Sequence, residues 1–401
     1  MEKTIISPII EKNRDKKIAL VTLHLYLILC KNILAATISY VQSINGLLNN
    51  YIIIIIAISY AWVFFISERK IKVPQATIKI IFLLIIYFIL SWLFKPDLFV
   101  NEGVREQLKT FFAYCFPLFF AISAINDYDA LFMNLAKYAF IPFLFSVIGF
   151  VYSFQFLTSS ISYSMSYGYS VLFINSIYLF KYKMFRNKSS LIIFILTTVF
   201  ILVSGSRGPI VYIAMAVVVV YLTSNLNSQK MLLSAVAIAI ILLVAFNYKA
   251  ILEWSNSFLR QFGIYSRTLS MLQLSNITSD SGREAIHESL ITQINTSPIW
   301  GLGAFGGAYY VYLSHSLFLD IFACFGYVGG SAILILIVYK TYIVLRQNWD
   351  TPTAEFVLML TVLTFAGSLF SDSFFEKKEL WMLFGIFAGN RTHISRDTKR
   401  N

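Results

Sequence analysis

The sequence predicts an all-α membrane protein, about twelve transmembrane helices with a helical loop on the outer face. Three observations predict it. Of 401 residues, 58% are hydrophobic and only 13% charged, where a soluble chain carries roughly a quarter charged residues. Apolar runs long enough to cross a bilayer recur along nearly the whole chain. The basic residues sit between those runs and divide unequally between the two sides they alternately face.

The spans are expected, in order, at 18–40, 50–66, 78–94, 110–125, 135–157, 168–180, 190–203, 209–223, 231–246, 315–339, 355–369 and 380–389. The first follows a basic stretch and has no small-residue cleavage site after it, so it reads as a retained anchor. The second holds the isoleucine run 52–56; the fourth and fifth carry Pro117 and Pro142. The eighth opens at Pro209, a residue suited to the first helical position. After the ninth comes the longest loop, 247–314. The twelfth is short and extends back towards Phe374. Three parts follow: a bundle over 1–246, a large outer loop over 247–314, and the last spans with their tail over 315–401. No internal repeat is visible.

An even number of spans puts both termini on one side, and about two thirds of the Lys and Arg fall on that side, which makes it the cytoplasm. The net charge of +12 therefore reads as orientation and contact with anionic lipid. It excludes nucleic acid as a partner, because the basic residues never form one continuous surface. Cys30, Cys115 and Cys324 all fall in apolar segments and form neither a disulfide framework nor a CxxC site.

Positive charge on the outer face is disfavoured unless something uses it. Arg207 stands in Ser204-Gly205-Ser206-Arg207-Gly208-Pro209, a tight turn between two spans. Its Ser and Gly residues leave backbone N–H groups free to meet an anion, and a guanidinium is a planar donor fork matched to phosphate. The alternative is a capped turn with a snorkelling arginine. Arg283 stands in Ser279-Asp280-Ser281-Gly282-Arg283-Glu284, where Ser281 and Glu284 have capping-box spacing. A helix is expected from Gly282 to about Ile294, with an arginine in its first turn against the helix dipole, a cost that a bound anion removes. The alternative there is an exposed arginine paired with Glu284 or Glu288. Arg267 and, with less reason, Arg260 complete a phosphate clamp from the same loop; Arg105 lies in another.

His315 opens the tenth span after Ser314, at the outer surface and level with Arg207. A helix N-terminus and nearby arginines both lower its basicity, leaving a neutral imidazole able to accept a proton or a hydrogen bond. The alternative is an interfacial histidine without a chemical role. His287, one turn after Arg283, reads first as scaffolding and second as a helper of the site. No His/Cys cluster has metal spacing and the outer loops hold no paired acidic DxD, so neither metal nor cofactor is expected. Trp300, Tyr309, Tyr310 and Tyr312 read first as interface anchors and second as a surface for sugar.

The order SGSRG at 204–208, SGR at 281–283, Pro298-Ile299-Trp300-Gly301-Leu302-Gly303 and HSLFLDIFACFGYVGG from His315 resembles the O-antigen polymerase/ligase superfamily. The resemblance is specific over 190–330, and the string YSMSYGY at 163–169 is similar to a loop of its polymerases. It implies a GT-C-like bundle and a metal-independent glycosyltransferase acting on glycans linked to undecaprenyl diphosphate at the periplasmic face of a bacterial inner membrane. Arg207, Arg267 and Arg283 would hold the diphosphate, and His315 would act at the acceptor hydroxyl. The product would be O-antigen or capsule polysaccharide, with a chain-length regulator protein as a partner. Where the family often places Asn after the histidine, this chain has Ser316. Two other readings stay open. One is the ligase that moves finished O-antigen onto lipid A–core. The other is a flippase or transporter, for which Lys31 and Asp320 would mark a pathway, though the repeat symmetry of transporters is absent.

Overall fold

The structure, a computed structural model, describes residues 8–34, 73–155, 165–203, 207–224, 253, 257, 261, 283–311, 314–367 and 373–389. All described regular structure is helical. The expected spans 50–66 and 231–246 lie outside the described residues. Three helices are long and apolar enough to cross a membrane, Gln75–Phe94, Tyr128–Val151 and Leu317–Gln347, and shorter apolar helices cover Lys188–Leu202, Gly208–Leu222 and Pro352–Phe365. The chain divides into two units, one of residues 1–29, 46–138 and 282–401, the other of 30–45 and 139–281.

In the first unit, α1 (Pro8–Leu29) begins about ten residues before the expected span, because its charged leading turns are helical as well. Then come α2 (Gln75–Phe94), a short 3-10 turn (Pro96–Val100), and α3 (Glu102–Thr110). A π-helical turn (Phe111–Cys115) joins α3 to α4 (Phe116–Ser123), just before Pro117. Proline has no N–H to give the preceding turn, and a widened turn absorbs that gap. After α5 (Tyr128–Tyr138) the chain leaves this unit and returns with α10 (Arg283–Thr296), α11 (Gly306–Val311), α12 (Leu317–Gln347), α13 (Pro352–Gly367) and α14 (Lys378–Gly389).

The core of this unit is aromatic. Phe111, Phe119, Phe305, Phe374, Phe375 and Trp381 are buried together. Trp381 meets Phe111 edge-on at 4.9 Å, and Phe305 lies 4.2 Å from Phe375. Helix α14 approaches α4 closely through Gly385 and Gly389, one helical turn apart: a Cβ on Gly385 would sit 2.8 Å from Ile122 Cβ and from the Phe119 carbonyl. Close packing through small residues takes the place of a hydrophobic drive between helices in lipid. Asp129 on α5 caps α13 from outside, accepting from the Thr353 N–H at 2.7 Å and its hydroxyl at 2.6 Å. Lys17 on α1 donates to the Ala124 carbonyl beyond the end of α4, at 2.6 Å.

The second unit holds α6 (Phe140–Gln155), α7 (Met165–Phe185), α8 (Lys188–Val203) and α9 (Arg207–Leu222). Here α7 is central and carries the polar bonds. Asn175 donates to the hydroxyls of Thr197 and Thr198 on α8, both at 2.9 Å. Ser176 bonds the Tyr212 hydroxyl on α9 at 3.0 Å, and Tyr167 donates to the Ser146 carbonyl on α6 at 2.7 Å.

One feature positions the outer part of the first unit. Helix α12, expected to be continuous, breaks at Gly326, whose φ of 70° and ψ of 176° are not helical. A break inside a membrane helix frees backbone groups that lipid cannot satisfy. Here the segment after α10 satisfies them. Leu302 N–H donates to the Ala323 carbonyl at 2.6 Å and Tyr327 N–H to the Pro298 carbonyl at 2.7 Å. Tyr87 on α2 donates its hydroxyl to the Cys324 carbonyl at 2.6 Å. Only glycine fits the crossing: a Cβ on Gly301 would lie 2.4 Å from Gly326 N, and one on Gly326 2.3 Å from the Ile299 carbonyl, and both residues have positive φ.

Two substitutions test this junction by thermal unfolding in detergent. Tyr87→Phe removes the hydroxyl bond to the Cys324 carbonyl and is expected to cost about 1 kcal/mol, a fall of a few degrees in the midpoint. Gly326→Val is expected to prevent accumulation of folded protein; a midpoint within a degree of the parent for both would contradict the junction.

Candidate functional site

The break fixes how α10 lies on α12. Leu290 and Ile294 of α10 are buried with Leu302 and Ala323, and Leu319 and Phe322 pack on them. Both helices therefore run inward to the same junction, side by side and parallel. Arg283 starts α10 some thirteen residues before Thr296, about 20 Å along the axis, and His315 stands roughly eleven residues before Gly326, about 16 Å. Two parallel helices of comparable reach thus hold their N-terminal ends together. A helix N-terminus carries a partial positive charge, and two such ends side by side favour an anion between them.

The helix of Arg283 is described from Arg283 to Thr296, two residues beyond the expected end. Ser281 and Gly282 lie outside the described residues. Arg283 is half-buried, with Glu284 exposed in the same turn. His287 lies one turn on, at the spacing that shares a helix face with Arg283.

His315 precedes the helix it was expected to open. Helix α12 begins at Leu317, and Ser316 is its N-cap, with its hydroxyl accepting from Leu319 N–H at 3.4 Å. Serine thus does the capping that asparagine does equally well, since both are good N-caps. His315 has a φ of 52°, in the left-handed region that histidine tolerates better than most side chains. Buried Ser314 spans it, its hydroxyl donating to the Ser316 carbonyl at 3.2 Å.

Burial, then the positive charge of Arg283, then that of His287, lower the basicity of His315 below its ordinary value of 6.5. Arg283, His287 and His315 thus form one electrostatic group. His315 Nδ1 and His287 Nε2 are both buried without a hydrogen-bond partner. The sequence alone does not place His287 beside His315. Its spacing from Arg283 was the available signal, but that spacing alone does not say which face of α10 meets α12.

The other candidates fall as follows. Arg207 is the first residue of α9, in the second unit, directly before Gly208 and Pro209. Arg267 and Arg260 lie outside the described residues. Arg105 is on α3 and donates to the Phe99 carbonyl at 3.4 Å. Asp320 is buried on α12, where one oxygen accepts from Phe374 N–H at 2.7 Å and the other packs against Gly307. It ties α12 to α11 and to the segment before α14. Among the described residues, no group of three or more His, Cys, Asp or Glu is placed to hold a metal. Tyr309 and Tyr310 meet edge-on at 4.9 Å, and Trp300 stands exposed.

Residues 192–334 match a family model described as O-antigen ligase, which is consistent with the O-antigen polymerase/ligase superfamily. The matched span contains Arg207, Arg267, Arg283 and His315. No curated protein and no solved structure matches the chain.

The shared electrostatics of the cluster predict a titration. His315 should take up its proton below 6.5, so it is neutral at pH 7 and any function that needs the free imidazole is lost as pH falls. Arg283→Gln and His287→Gln each remove a positive neighbour and should raise the midpoint, without restoring it fully because burial remains. NMR of ring-labelled histidine reads this directly; a midpoint unmoved by both substitutions would contradict the cluster.

Proposed function

We infer that the chain is a glycosyltransferase that polymerises oligosaccharide repeat units carried on undecaprenyl diphosphate, at the periplasmic face of the inner membrane. The observation that carries this reading is the pairing of two helix N-termini that present Arg283 and His287 beside His315. Such a pair suits a dianionic headgroup, and an imidazole of lowered basicity beside it suits proton acceptance. In the full reading, about twelve spans keep both termini in the cytoplasm. Arg207 and Arg267 join Arg283 on the diphosphate and stabilise charge as the sugar–phosphate bond breaks, work that a divalent metal does elsewhere. The neutral His315 accepts the proton, or a hydrogen bond, of the attacking sugar hydroxyl. A single displacement inverts the anomeric carbon and passes the growing chain to the next lipid-linked unit. The released carrier leaves as undecaprenyl diphosphate. A chain-length regulator protein would be the partner of such a polymerase.

The family match favours a second reading equally: an O-antigen ligase, with the same donor and the same arginine chemistry but lipid A–core as acceptor. The two differ in what their loss leaves behind. Deletion of a polymerase leaves lipopolysaccharide capped with single repeat units; deletion of a ligase leaves bare core.

Complementation of the deletion by Arg207→Ala, Arg283→Ala and His315→Ala variants, read on lipopolysaccharide gels with protein levels controlled, tests the assignment. Each should lose long polymer, with a rate reduction of about a hundredfold or more for a lost charge-stabilising or proton-accepting group. Arg283→Lys should rescue only weakly, since an ammonium lacks the planar fork. Full-length polymer from the Arg283→Ala and His315→Ala strains would overturn the roles given to them.

A further inference from the structure

The segment after α10 lies deeper than its place in an outer loop implies. The break of α12 is level with Tyr87, whose hydroxyl meets the Cys324 carbonyl and whose ring stacks on Phe325 at 4.8 Å. Tyr87 lies about 10 Å below the outer end of α2 at Phe94. Higher on α2, Ser91 accepts from the Ala304 N–H at 2.9 Å, and Gly303 faces Leu98 and Ser91. From Gly303 to Ile299 the chain therefore descends along α2, having come down with α10.

Among the described residues, the large exposed side chains near this low point are mostly apolar, while Asn295 and Thr296 at the end of α10 are exposed and polar, Asn295 accepting from the Tyr327 hydroxyl at 2.9 Å. Above it, α2 still exposes Trp92, Leu93 and Phe94, the last at 80%. Below it, α12 exposes Val328, at 66%, then Ile335, Leu336 and Val338. Between them the loop itself holds out Ile299 at 56% and Trp300 at 83%. No Asp, Glu, Lys or Arg occurs between Glu288 and Asp320. The turn is held in place by Gly301 N–H on the Ser297 carbonyl at 2.9 Å and by the two bonds to Ala323 and Tyr327.

We propose that residues 298–302 form a re-entrant wedge in the outer leaflet, with Ile299 and Trp300 in contact with phospholipid acyl chains. The wedge rests on the membrane reading alone and holds whether or not the site transfers sugar. It fixes the height of the junction, and through α10 and α12 the height of Arg283 and His315, at the level of lipid headgroups.

Nitroxide labels on Trp300→Cys, Ile299→Cys, Val328→Cys and Glu288→Cys, in full-length protein reconstituted into phospholipid vesicles, test it; the native cysteines described in the structure are buried, and unlabelled parent sets the background. Collision with dissolved oxygen reports lipid, and collision with a water-soluble nickel chelate reports solvent. Trp300→Cys and Ile299→Cys should match Val328→Cys, oxygen-rich and nickel-poor, with Glu288→Cys the reverse. Two results overturn the wedge: nickel collision at positions 299 and 300 equal to that at 288, which places the loop in water, or low collision with both reagents, which means protein, such as a second copy, covers it. If the Trp300→Cys protein does not fold, the Ile299→Cys label alone decides.

Discussion

The outer half of the first unit depends on the rule that a backbone polar group in a membrane must be paired. Helix α12 breaks at Gly326, and the break is tolerable because the Ala323 and Cys324 carbonyls and the Tyr327 N–H all find partners outside the helix. Those partners come from two distant stretches, Pro298–Leu302 and Tyr87. The requirement therefore does more than repair a kink. It joins α2, α10 and α12 at one point, and two glycines with positive φ let the backbones cross there.

From that point the candidate site follows by length. Helices α10 and α12 leave the junction side by side, and their apolar contact through Leu290, Ile294 and Ala323 keeps them so. Their N-termini end at similar heights, which brings Arg283 and His287 to His315. Helix ends and a guanidinium add positive potential, and partial burial strengthens it. Burial first, and then the charge of Arg283, lower the basicity of His315.

The sequence discloses unequal parts of this. Hydropathy places α2, α8, α9 and α13 to within about three residues at each end, because an apolar run of fixed length has few places to go, whereas α12 starts near where expected but runs on eight residues past Tyr339 to Gln347. The helix of Arg283, expected over 282–294, is found over Arg283–Thr296. The break at Gly326 is not legible. Glycines in apolar helices are common, and only the approach of residues 298–302 shows which one is bent. The role of His287 is hidden for the same reason: its spacing gives a shared face with Arg283, but not the neighbour of that face. Charge counting likewise assigns the whole of 247–314 to the outside, since it reports sidedness and is silent on depth. The Gly385 and Gly389 pair shows in the sequence only as a four-residue spacing, which does not disclose that α4 packs on it.

The central claim is that the helix N-termini carrying Arg283 and His315 bind a lipid pyrophosphate. Direct measurement of undecaprenyl diphosphate affinity for detergent-purified protein, compared between the parent and Arg283→Gln at pH 7, tests it most directly. Loss of one bidentate charge-assisted contact should weaken binding about tenfold or more, about 1.4 kcal/mol, with thermal stability unchanged. Equal affinity in the two proteins would contradict it.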